Sequence, residues 1–111
     1  MRTLHGIACL SLLLAACATV VQVGRDFDPG AFEAKAQRGV TTQAEVRSWL
    51  GAPNGAGISV ESNGDRFEKW TYYYGEGQLP GLAGATIKIL EIKFDAQHIV
   101  RAYQWSGAAK Q

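Results

Sequence analysis

The sequence predicts an α+β domain: two short helices packed on one face of a three-stranded antiparallel β-sheet. Three observations predict it. Residues 42–50 form a capped amphipathic segment with helical spacing. Residues 66–74, 86–94 and 98–105 alternate apolar and polar side chains at the period of a strand. The helical signals all precede the strand signals, and segregated runs of this kind favour α+β over a parallel α/β sheet. With 111 residues, 47% hydrophobic and 19% charged, the chain holds one core and is neither disordered nor coiled coil in composition.

Ahead of the domain lies a targeting segment. Arg2 supplies a positive charge, residues 6–21 carry none, and the centre reads Leu10-Ser11-Leu12-Leu13-Leu14. This pattern is a secretory signal. Its apolar centre falls short of the roughly 20 predominantly apolar residues that a membrane-spanning helix needs. Small side chains at Ala15 and Ala16 let a peptidase accommodate the backbone ahead of Cys17. Leu14-Ala15-Ala16-Cys17 resembles the lipobox of bacterial lipoproteins. The resemblance implies diacylglycerol on the Cys17 thiol, cleavage before Cys17 and acylation, as with palmitate, of the new amine. Cys9 is a poor competitor, because too few apolar residues precede it. An uncleaved signal anchor and ordinary secretion with a free thiol are the rival readings. More than one acyl chain holds a protein stably to a membrane. Residue 18 is Ala; an Asp there commonly marks inner-membrane retention, so the expected location is the outer membrane, with the domain in the periplasm.

The expected organisation is a signal peptide over 1–16, a lipidated tether over 17–26, the folded domain over 27–106 and a flexible tail over 107–111. Within the domain, Asp28-Pro29 opens a first helix with Asp at the cap and Pro at the first helical position. Phe32 and Ala36 share a face, and Gly39 is the expected end, after Arg38. Thr42-Gln43-Ala44-Glu45 fits a capping box for the second helix. Val46, Trp49 and Leu50 form its apolar stripe, and Gly51 with Pro53 stop it. Residues 52–65 read as a Gly- and Asn-rich stretch with Ile58 and Val60 alternating and a tight turn at Asn63-Gly64. The first expected strand puts Trp70, Tyr72 and Tyr74 on one face and Tyr73 on the other. Residues 75–85, with four Gly and a Pro, are expected to form a flexible connection. The second strand puts Leu90, Ile92 and Phe94 on one face. A turn at 95–97 leads to the third.

Residues 39–46 (Gly-Val-Thr-Thr-Gln-Ala-Glu-Val), Leu50-Gly51-Ala52-Pro53, Trp70-Thr71-Tyr72 and the run Leu90–Asp95 form an ordered series that ends at Val100. The series resembles the SmpA/OmlA (BamE-like) family of small bacterial outer-membrane lipoproteins over about residues 39–105, and departs from it over 21–38. The resemblance implies two helices on a three-stranded antiparallel sheet. It also implies a non-catalytic interaction or scaffold role in outer-membrane β-barrel protein assembly or envelope integrity, with the β-barrel assembly machinery as an expected partner. The alternative is a lipoprotein of the same fold that binds another envelope protein or acts as an inhibitor-like binding module.

The residues themselves narrow the chemistry. Net charge is +1, and the mature side chains balance at ten cations and ten anions once Arg2 is removed. No basic surplus exists to hold a phosphate backbone, so no nucleic-acid partner is expected. The mature chain keeps His98 and no free thiol, and has no His or Cys pairing at metal-ligand spacing. No metal or cofactor is expected beyond the covalent lipid on Cys17. No Ser stands in a nucleophile motif, and Gly55-Ala56-Gly57 lacks the third Gly of a dinucleotide fingerprint, position 60 being Val. His98 reads as a surface residue at a strand start. The protein is therefore not expected to be an enzyme. The aromatic residues remain. Trp70 reads as core. Tyr73 and Trp105, with Leu79 and Leu82 in the Gly-rich connection, are the candidate partner-binding residues.

Overall fold

A computed structural model describes residues 19–79 and 83–107. The lipobox Leu14, Ala15, Ala16 and Cys17, the signal segment before it, Leu82 and most of the expected tail lie outside the described residues. The elements run β1 (Thr19–Gly24), α1 (Pro29–Lys35), α2 (Gln43–Leu50), β2 (Gly55–Val60), β3 (Arg66–Leu79), β4 (Ala83–Phe94) and β5 (Val100–Ser106).

The sheet has five antiparallel strands, and this corrects the expected three-stranded sheet. β3 is the hub. One of its edges pairs with β4, which pairs in turn with β5. Its other edge is shared end to end: β2 covers residues 66–71 and β1 covers 74–79. The two extra strands have simple physical origins. The stretch expected as a tether reads Thr-Val-Val-Gln-Val-Gly, and its β-branched residues suit a strand once β3 offers an open edge. Residues 55–60 alternate Ile58 and Val60 and return through the tight turn after Glu61, forming a hairpin with β3.

The expected flexible connection over 75–85 is also corrected. β3 runs on to Leu79 and β4 begins at Ala83. Gly75 and Gly77 weaken a strand by intrinsic preference, but each sits opposite a valine of β1, Val23 and Val21 respectively. Gly75 is paired on both edges, and Gly77 with β1 at a break in the β3–β4 register, and this pairing outweighs the local preference.

Both helices start as their caps dictate. The Asp28 carboxylate accepts from the N–H groups of Gly30 and Ala31, at 2.9 and 3.2 Å. Thr42 and Glu45 complete a reciprocal capping box. α1 ends at Lys35 rather than Arg38, because Ala36 is extended. Gly39 serves instead in a turn, its N–H donating to the Val100 carbonyl at 2.8 Å.

The core lies between the helices and one face of the sheet. Phe32 from α1 and Val46 from α2 meet Trp70, Tyr72, Leu90, Ile92, Phe94 and Val100. Ring contacts fix the arrangement: Trp70 meets Phe94 edge-on at 5.0 Å, and Phe32 meets Tyr103 at 5.2 Å. Trp49 and Leu50 pack at its margin. Lys88 is the buried cation of this face. It donates to Asp26 at 2.8 Å and to the Phe27 carbonyl at 3.1 Å, and lies 5.8 Å from the Tyr74 ring centre. These partners offset the desolvation of its charge.

Candidate interaction surface

The strand register decides which side chains lie away from the helices. Residues opposite each other share a face, and successive residues alternate. Since Tyr72 and Leu90 face the core, the next pair, Tyr73 and Ile89, points outward. Two residues further along, Gly75 lies between Val23 of β1 and Ile87 of β4. Val23, Tyr73, Ile87 and Ile89 therefore form one apolar cluster, exposed by 52%, 40%, 63% and 37%. Isolated exposed apolar residues are ordinary, whereas adjacent ones on one face make a candidate interaction surface. Val21 and Ala85 extend the cluster along a shallow recess of about 180 Å³.

The outer face changes character sharply at its middle. On this face the row beyond Tyr73 and Ile89 pairs Thr71 with Glu91, and the one after it pairs Lys69 with Lys93. Lys69 and Glu91 form an ion pair at 3.5 Å, and Lys93 pairs with Glu61. One half of the outer face is thus a solvated charge lattice and the other half is an uncovered apolar plate. The Tyr73 backbone is held in place as well, its N–H donating to Asn54 Oδ1 at 2.9 Å.

The candidate residues separate clearly. Tyr73 stands in the row of the plate nearest the charged half. Leu79, 47% exposed, stands at the end of β3, about 20 Å away along the strand. Trp105 lies on the opposite face, opposite Leu90 and half-buried, with its indole N–H donating to Glu33 of α1 at 3.0 Å. It belongs to the margin of the core rather than to the plate. Val23, Ile87 and Ile89 were not singled out from sequence. The signal was present in the alternation of Ile87 and Ile89 with Lys88 and Leu90, which places two apolar residues on the face opposite the core.

A second concavity, of about 370 Å³, lies between the helices and the segment after β1, bordered by Arg25, Asp28, Lys35, Arg47 and Trp49. Two of its polar groups, Asp28 and Ser48, serve the fold. Asp28 caps α1, and Ser48 Oγ donates to the Glu45 carbonyl at 2.6 Å. Tyr72 donates to the Gly51 carbonyl at 2.8 Å. Burial pushes the Tyr72 phenol up to about 12, against the opposing pull of Arg47 and Arg25. His98 adopts a left-handed turn conformation just before β5, and its Nδ1 lies 3.1 Å from Gln43 Oε1. Among the described residues, no three His, Cys, Asp or Glu side chains gather as a metal site. Among them, too, no helix is long and apolar enough to cross a membrane.

No protein-family model matches the chain, and no curated protein sequence matches it.

Proposed function

We propose that this chain is a lipid-anchored envelope lipoprotein that works by binding. Cys17 carries the lipid, the domain faces the periplasm from the outer membrane, and the apolar plate docks an envelope protein. A role in outer-membrane β-barrel assembly or envelope integrity is the reading that the SmpA/OmlA-like series of residues supports. The carrying observation is the adjacency of Val23, Tyr73, Ile87 and Ile89 on the sheet face opposite the helices. The tether multiplies the effect of a modest contact, since a partner held at the same membrane is met at high effective concentration. An aromatic ring flanked by aliphatic side chains is the composition of an interface centre.

The test is native co-purification of the tagged chain from envelopes in mild detergent, with partners read by mass spectrometry. A discrete envelope partner is expected with the wild type and lost with Tyr73→Ala combined with Ile89→Ser. Recovery of the barrel-assembly machinery supports the assembly role; recovery of another envelope protein replaces it. A chain recovered alone contradicts the docking reading. In parallel, Cys17→Ser is expected to release the protein from the membrane fraction, and persistence there contradicts the anchor.

A further inference from the structure

We infer that the end of the sheet where β1 begins is itself a lipid contact, seated at the membrane surface beside the anchor. The inference rests on the proposed acylation of Cys17 and adds a second point of attachment. The geometry is short. β1 starts at Thr19, two residues after Cys17, so its first residue lies within about 7 Å of the acylated position. Thr19 pairs with Leu79, and Gln78 pairs with Ala83, so the same end of the sheet holds the end of β3 and the start of β4. An anchor at Cys17 therefore brings all three strand ends to the lipid headgroups.

The composition of that end fits the location. The last three rows of the β1–β3 pairing, Thr19–Leu79, Val20–Gln78 and Val21–Gly77, carry no charged side chain, and Glu76 opposite Gln22 is the first charge inward from them. Val20 and Leu79 are exposed by 50% and 47%. They sit in adjacent rows of the β1–β3 pairing, so they point to opposite faces. A protein partner docking on a sheet covers one face. An end whose last rows carry no charge and expose one aliphatic side chain on each face, Val20 beside Gln78 and Leu79 beside Thr19, fits a medium that surrounds it. Depth is limited by the backbone: among the described strands β1 pairs with β3 alone, and an open strand edge is not tolerated within the hydrocarbon of a bilayer. The contact is thus interfacial. Its consequence is orientation, because a lipid tether alone lets the domain tumble, whereas two contacts present the plate at a fixed angle.

The mature chain has no cysteine other than Cys17, which permits single-site labelling. The lipidated protein carrying Leu79→Cys or Ile58→Cys is nitroxide-labelled and reconstituted in phosphatidylethanolamine–phosphatidylglycerol vesicles. Both sites are exposed, and Ile58 lies on β2 at the far end of the sheet. The expected result is a rise in oxygen collisions and a loss of nickel-chelate collisions at Leu79, with neither change at Ile58. In the water-soluble Cys17→Ser form, the Leu79 label should be as open to the chelate as the Ile58 label. A Leu79 label that stays open to the chelate on vesicles that carry the protein overturns the inference and leaves the anchor standing. Shielding from both reagents means that another protein covers the site, and also overturns it. A protein that does not float with the vesicles overturns the anchor, and this inference with it.

Discussion

Tyr73 and Leu90 show how one residue's parity in a strand separates stability from function. Leu90 is fully buried against Val46 and Trp70. Leu90→Ala should destabilise the domain by about 2–5 kcal/mol through lost transfer energy and an unfilled cavity, as measured by denaturant unfolding. Ile89, one residue earlier, faces outward. Ile89→Ser should leave stability within about 0.5 kcal/mol while removing partner recovery. Asp95 gives the pH dependence. Desolvation alone raises its carboxyl, but the Ile99 N–H, the Arg101 guanidinium and the Gln97 N–H outweigh it and hold it below its ordinary value. A lowered carboxyl contributes stability above its ordinary value, and loses that contribution as pH falls through its folded value. The stability gap between wild type and Asp95→Asn should therefore close in acid, below about pH 4, when urea midpoints are compared across pH.

At the scale of elements, the helices rest on local chemistry that reads directly from sequence. Thr42→Ala removes one side of the capping box and should cost about 1 kcal/mol in a urea titration. β1 rests on tertiary pairing instead. Gly24 ends it at a φ of +80°, and a Cβ there would lie 2.2 Å from the Tyr73 carbonyl oxygen. Gly24→Ala should free β1, read as rapid amide exchange over Thr19–Gly24 while β4 remains protected. The same contrast explains what was legible. Caps, stops and the Trp70–Tyr72–Tyr74 alternation announce themselves within a few residues. β1 and the second half of β3 do not, because valines beside a targeting segment and glycines in a strand take their conformation from partners some 50 residues distant. The three-stranded expectation failed at those places for that reason. The plate was half legible: Tyr73 announced its face, but Val23 joins it only through a pairing that sequence periodicity does not reveal.

The whole molecule is organised as a gradient along β3. At one end lie the β2 hairpin and a charged outer face, at the other the uncharged strand ends, and between them the apolar plate opposite the helix-covered core. A contact made by this plate is hydrophobic in origin, so partner recovery should persist when salt is raised to about 0.5 M, where screened charge contacts weaken. The most direct test of docking on the plate is site-specific photo-crosslinking in intact cells. A photoreactive residue is placed at Tyr73, at Ile89 or, as the control, at Ile58 on the far end of the sheet. The account predicts that Tyr73 and Ile89 capture the same envelope protein and that Ile58 does not. Capture from Ile58 alone, or equal capture from all three positions, would contradict it.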